Sequence, residues 1–114
     1  MTDKKTISCI IPTCDRNDLL VESLHSVLNQ SVRPDEIIIV NNGKTKILLS
    51  KDISENCKIF DIMPYAGVAQ ARNFGVVNSS GEFLAFLDDD DLWSEKYIEN
   101  VQKVISNTET KCVI

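Results

Sequence analysis

Apolar positions along this chain fall into two patterns, short unbroken runs and stripes at helical spacing. Ile7-Ser8-Cys9-Ile10-Ile11 is a β-rich run that ends at Pro12. Leu20, Leu24, Val27 and Leu28 then recur at i, i+4, i+7 and i+8, the stripe of an amphipathic helix. Asn17 is placed to cap that helix, Asp18 suits its first turn, and Pro34 lies beyond its end. Ile37-Ile38-Ile39-Val40 is unbroken and stops at Asn41-Asn42-Gly43, as expected of a central parallel strand covered on both faces. Ile47, Leu48, Leu49 and Ile53 predict a short helix, and Cys57 to Ile62 a third strand. Pro64 to Gly67 is a loop, and Val68 to Asn78 a helix that Gly81 is placed to stop. Phe83 to Leu87 is a fourth strand. Ser94 is placed to cap a last helix with Ile98, Val101 and Ile105 on its buried face, and Lys111 to Ile114 opens a fifth strand.

Strands that alternate with helical stretches imply parallel strand–helix–strand units, and right-handed crossovers put helices on both faces of the sheet. The predicted fold is therefore α/β, a Rossmann-like parallel sheet in one domain spanning residues 1–114, without repeats or linkers. Ligands of such sheets bind outside the carboxyl ends of the strands. That rule singles out Pro12 to Arg16, Asn41 to Gly43 and Asp88 to Asp91.

Composition narrows the function. The chain has 114 residues, with 12 Lys and Arg against 17 Asp and Glu, a net charge of −5. That balance argues against nucleic-acid binding, which needs a basic footprint, and against a cationic membrane-surface helix. No apolar run approaches the roughly 20 residues of a membrane span, and the polar start Met1 to Thr6 is unlike a secretory signal. The expectation is a cytoplasmic protein, with a peripheral place at the inner face of the membrane left open. Cys9, Cys14, Cys57 and Cys112 form no C-x-x-C, and His25 is the single histidine, so neither a zinc site nor a disulfide framework is expected.

Asp88-Asp89-Asp90-Asp91 changes the picture. Four consecutive carboxylates repel one another unless solvent or a cation neutralises them. A solvated acidic turn is the plain reading. Here, however, the run sits between Phe83-Leu84-Ala85-Phe86-Leu87 and Leu92-Trp93, apolar flanks that hold it at the sheet edge. Hard carboxylate oxygens in that place suit Mg²⁺ or Mn²⁺, an ion that shares its sphere with substrate phosphates.

Four segments, taken in order, resemble the family 2 glycosyltransferases of the GT-A fold. Ile7 to Arg16 looks like the family's opening strand and its Pro-Thr-Tyr-Asn-Arg turn. Asn29-Gln30-Ser31 with Glu36 to Val40 is similar to its helix exit and second strand. Gly67 to Gly75 resembles its Gly-x-x-x-Ala-Arg-Asn-x-Gly helix, and Gly81 to Asp91 the strand that carries Asp-x-Asp. The resemblance implies an inverting transferase that moves a sugar from a nucleotide-diphosphate sugar, a UDP-sugar favoured, to an unknown hydroxyl acceptor, with cell-surface polysaccharide synthesis as a setting. By the same resemblance Asp90 binds the metal, and Asp88 or Asp89 holds the ribose or a metal-bound water, with Asp88 also counted as a metal ligand. Pro12, Thr13 and Cys14 line the nucleobase pocket, Asn42 reads the base edge, and Arg72 pairs with the acidic cluster or approaches the nucleotide.

The chain departs from the family pattern at several places. Asn41-Asn42 replaces the common Asp-Asp, so a neutral amide would read the base. Cys14 replaces the usual tyrosine and removes an aromatic stacking surface, which weakens binding or shifts the base contact to a neighbour. The family's acceptor half and general base follow the Asp-x-Asp strand, so no catalytic residue is assigned. The expectation is an incomplete GT-A domain, its N-terminal nucleotide-sugar-binding portion, that self-associates near Lys111 to Ile114 and transfers no sugar alone. The alternatives are a nucleotide- and metal-binding module without turnover, or a receiver-type signalling domain. A receiver, though, carries its acidic residues after the first and third strands. Among single residues, His25 is expected at the surface and Trp93 as a packing anchor.

Overall fold

The computed structural model describes residues 5–107. Its elements run β1 (Ile7–Thr13), α1 (Asn17–Leu28), β2 (Glu36–Asn41), α2 (Lys51–Ser54), β3 (Lys58–Asp61), α3 (Val68–Val77), β4 (Phe83–Phe86) and α4 (Tyr97–Asn107). The four strands form one parallel sheet in the order β3-β2-β1-β4. The expected fifth strand, Lys111 to Ile114, lies outside the described residues.

Alternation along the strands decides which helix covers which face. Cys9 and Ile11 of β1 pack with Ile37 and Ile39 of β2 under Leu20, Leu24 and Val27 of α1 and Ile53 of α2. Ile7 and Ala85 carry the same face onto Ile98 and Ile105 of α4. Ile10, Ile38 and Val40 face the other way, against Ala71 of α3. β1 is buried at every position, which is why its sequence reads as an apolar run without alternation. Each fully buried Leu or Ile contributes at most about 1.5–3 kcal/mol, so these three clusters hold the fold. On the α3 side the packing is tight. A Cβ on Gly75 would stand 2.5 Å from Ile10 Cγ2, so only glycine lets this helix lie so close to β1.

Several element ends differ from the sequence-based expectation, each for a long-range reason. β1 does not stop at Pro12 but runs through it, with Pro12 opposite Val40. The carbonyls of Ile7 and Thr13 accept from the β2 side, while those of Thr6 and Ile10 accept from Phe83 and Leu87 on the β4 side. By that alternation the N–H that proline lacks would point to the β4 side, past the end of β4, where no ladder needs it. Asn17 is the first residue of α1 rather than its cap, and its amide is used on Leu48, donating to the carbonyl at 3.0 Å and accepting from the N–H at 2.9 Å. The short helix begins only at Lys51, after Ile47 to Leu49. α3 ends at Val77 and is capped by Asn78, whose side chain donates to the Phe74 carbonyl, whereas Gly81 donates its N–H to Ser8 Oγ. Ser94 precedes α4 by three residues, and its carbonyl accepts from the Tyr97 N–H. No helix among the described residues is long and apolar enough to cross a membrane.

Candidate active site

From β1 the chain steps to β2 and β3 on one side, then returns to β4 on the other. The carboxyl ends of β1 and β4 therefore flank the point where the winding reverses, the usual place for a ligand crevice in an open α/β sheet. Leu87 extends the ladder by one bond to Ile10, and the acidic residues then turn, the Asp91 N–H donating to the Asp88 carbonyl at 3.0 Å.

Within that turn the four aspartates are not equivalent. Asp89 points inward and is 1% exposed. Thr13 Oγ1 donates to its Oδ2 at 2.9 Å, Arg16 Nε to the same oxygen at 3.2 Å, and an Arg16 terminal nitrogen lies 2.6 Å from Oδ1. This is a two-pronged guanidinium–carboxylate pair with a hydroxyl added, which removes the buried charge problem. Fixing Asp89 inward leaves its neighbours outside. Asp88, Asp90 and Asp91 each offer a carboxylate oxygen within 4.8 Å of the other two. Arg72 donates to Asp88 Oδ1 at 2.7 Å, while its buried Nε has no acceptor among the described residues. The other terminal nitrogen of Arg16 stands 3.7 Å from Asp90 Oδ2.

Helix α1 holds the turn from below. The buried Ser23 hydroxyl lies 2.6 Å from the Asp91 carbonyl and 2.9 Å from that of Asp89. Ser26 accepts from the Trp93 N–H, and Gln30 donates to the Ser94 carbonyl while accepting from the Ile98 N–H. Sequence reasoning missed Ser23 and Gln30. For Ser23 the signal was present, since it interrupts the apolar stripe of Leu20, Leu24 and Val27 on the same face, whereas Gln30 lies past the end of α1 and carries no such mark. Trp93 stacks on Tyr97 at 4.8 Å and packs against the core, the anchor expected of it.

On the β2 side, Pro12, Thr13, Cys14 and Asn42 come together at adjacent strand ends. The Asn42 N–H donates to the Thr13 carbonyl at 2.9 Å, and Cys14 Sγ lies 3.9 Å from the Asn42 carbonyl. Pro12, Thr13 and Asn42 are buried and Cys14 is half-buried. Asn41 is turned away, bonded to Thr45 and Asp61. Beyond Cys14, Asp15 takes a left-handed φ of 54° and accepts from the Thr45 N–H at 2.8 Å and the Tyr65 hydroxyl at 2.6 Å. Those two donors, the tyrosine first, hold the Asp15 carboxyl at about 2, below its usual 3.8. Gly43 is required beside it, because a Cβ there would collide with the Asp15 carboxylate.

A cleft of about 380 Å³ opens at the other end of the strands around Ser8, Glu36, Lys58 and Ser80. Its central carboxylate is already satisfied, Glu36 accepting from Ser8 and the Ser80 N–H on one oxygen and from Lys58 on the other. That cleft is a staple between strands, whereas the buried side-chain nitrogen left without a partner among the described residues, Arg72 Nε, lies beside the acidic turn.

Comparison with known proteins agrees with this fold. The family model for glycosyl transferase family 2 matches residues 8–114. An uncharacterized glycosyltransferase of Rickettsia bellii is 40% identical over 101 residues, covering 82% of this chain and 14% of the relative. The teichuronic acid biosynthesis glycosyltransferase TuaG of Bacillus subtilis, a name carried there as provisional, is 34% identical over 84% of this chain and 40% of its own length. The crystal structure of S. aureus TarS residues 1–349 with UDP-GlcNAc superposes with a TM-score of 0.77 at 24% identity, over 90% of this chain and 31% of that one. The chain thus spans well under half the length of these relatives.

Proposed function

The chain belongs to glycosyl transferase family 2, and from that premise we propose that it is the donor-binding portion of an inverting enzyme that moves a sugar from a nucleotide diphosphate to a hydroxyl acceptor. The observation that carries this is the acidic turn, three outward carboxylates at the reversal point of the sheet with the fourth locked beneath them. UDP-sugars are the favoured donors, supported by a GT-A neighbour crystallised with UDP-GlcNAc. Cell-surface polysaccharide synthesis is the favoured setting, supported by the teichuronic acid relative. On this reading residues 1–114 form one donor-nucleotide-binding unit, and its place in the cell is cytoplasmic.

The residues fit Mg²⁺ or Mn²⁺. Oxygens on one such ion lie up to about 4.2 Å apart, twice a metal–oxygen length of roughly 2.1 Å. The three carboxylates offer oxygens within 4.8 Å of one another, and Asp88 and Asp90 are half exposed, so a small rotation of these side chains would close the remaining gap. Asp90 and Asp88 would hold the ion, which when bound neutralises charge on the leaving diphosphate. Arg72 presents a buried N–H without an acceptor, a cost that a phosphate or ribose oxygen would remove. Pro12, Thr13, Cys14 and Asn42 line the base. Asp89 was expected to share with Asp88 the ribose or a metal-bound water, but it is turned inward onto Thr13 and Arg16. On this reading that contact falls to Asp88, and Asp89 serves by joining the base side to the metal side.

Calorimetry of this chain with UDP and with GDP, each with and without Mn²⁺, tests the reading. Binding of UDP that needs Mn²⁺ is expected. Equal affinity in Mn²⁺ and in EDTA would count against the assigned site.

A further inference from the structure

Cys14 offers no ring where the nucleotide base would lie, yet an aromatic side chain stands beside it from another part of the chain. Tyr65 belongs to the loop between β3 and α3, and two bonds tie it to the strand ends. Its N–H donates to the carbonyl of Asn42, and its hydroxyl donates to Asp15 at 2.6 Å. Asp15 directly follows Cys14, so the ring bridges the ends of β1 and β2. The side chain is nevertheless open, with Tyr65 58% exposed. Its φ is 61°, a conformation that bulky residues rarely adopt and that persists when surrounding contacts enforce it, most often at functional sites.

We propose that Tyr65 supplies the aromatic surface on which the base of the bound nucleotide stacks. The inference rests on the nucleotide-binding reading above and adds to it the residue that recognises the base. A ring pinned at both backbone and hydroxyl is pre-organised, so a planar guest meets it without ordering it first. Lys44 Nζ stands over one face at 5.9 Å from the centroid, and the 58% exposure of Tyr65 leaves room for a planar guest to take its place. A cation held so loosely at an exposed site is displaced at small cost. Every base has a π face, so this surface secures a planar heteroaromatic ring and leaves the choice among bases to the polar groups around it.

The test uses the whole chain with Mn²⁺ and two ligands, UDP and inorganic pyrophosphate. Base stacking is worth roughly 5- to 150-fold in affinity by alanine substitution. Tyr65→Ala is therefore expected to weaken UDP by about tenfold or more and leave pyrophosphate unchanged. Tyr65→Phe, which keeps the ring and loses only the bond to Asp15, should stay within about threefold for UDP. Unchanged UDP affinity in Tyr65→Ala overturns the proposal. So does an equal loss for both ligands, or an equal loss in Tyr65→Phe, since either assigns the effect to loop structure. Failure of the unaltered chain to bind UDP overturns the functional reading, and this inference with it.

Discussion

Two arginines hold two aspartates of the same turn at nearly the same distance, and removing them should have very different costs. Arg16 reaches Asp89 at 2.6 Å and Arg72 reaches Asp88 at 2.7 Å. The Asp89 side chain is 2% exposed, whereas that of Asp88 is 46% exposed. Arg16→Ala leaves a buried carboxylate with Thr13 as its remaining donor of the three contacts described. Losing a charged hydrogen bond costs roughly 1.5–3 kcal/mol, and breaking a fully buried pair roughly 3–5 kcal/mol. Arg16 is itself 49% exposed, so water enters the gap and the lower range governs, about 2–3 kcal/mol. Arg72→Ala frees a carboxylate that already faces solvent, and exposed pairs contribute about 0–1 kcal/mol. Urea unfolding followed by Trp93 fluorescence reads this directly, because Trp93 sits just past the turn and stacks on Tyr97. With a slope of about 1–3 kcal/mol per molar urea, Arg16→Ala should move the midpoint down by about 1 M or more. Adding Asp89→Ala to Arg16→Ala should recover part of the loss, since no buried charge is then left unpaired. Equal midpoints for Arg16→Ala and Arg72→Ala would refute the argument that burial, not distance, sets the value of these pairs.

Other outcomes follow from the same geometry. Asp90→Ala should abolish the Mn²⁺ dependence of UDP binding and Glu82→Ala, just before β4, should not; calorimetry that finds both alike reduces the turn to a solvated loop. Burial pushes the Glu36 carboxyl up, but the Lys58 ammonium, the Ser80 N–H and the Ser8 hydroxyl outweigh it and hold the group at about 2, below its usual 4.5. A depressed carboxyl stabilises the fold above its unfolded pKa and loses that contribution as pH falls, so Glu36→Gln should flatten the decline in melting temperature between pH 4.5 and 2; curves that stay parallel would contradict it. β4 is an edge strand among the described residues, with Leu84 37% and Phe86 45% exposed, and open apolar edges invite pairing. Light scattering should therefore show a dimer or larger species, and a monomer at all concentrations would rule this out.

Among the described residues, the sequence alone determined the order and type of the elements. Runs such as Ile37 to Val40 and the stripe of Leu20, Leu24 and Val27 are local signals, and burial on two faces or on one stripe writes them directly into the residue pattern. The parallel sheet with helices on both faces followed, as did the carboxyl-end segments that the structure brings together. Family resemblance along four segments was legible for the same reason, because each is a strand end or helix start with its own local chemistry.

Tertiary structure decided what those residues do once assembled. Four aspartates in a row look alike in sequence, and only the approach of Thr13 and Arg16, more than 70 positions earlier, turns Asp89 inward and leaves Asp88, Asp90 and Asp91 outside. Pro12 could continue a strand only because β4 ends before it needs a donor. Ser23, Gln30 and Tyr65 acquired their roles from partners more than 20 residues distant. Periodicity records which face of an element is buried. It does not record which group from elsewhere in the chain arrives there, and hydrogen bonding and charge pairing at the site depend on that arrival.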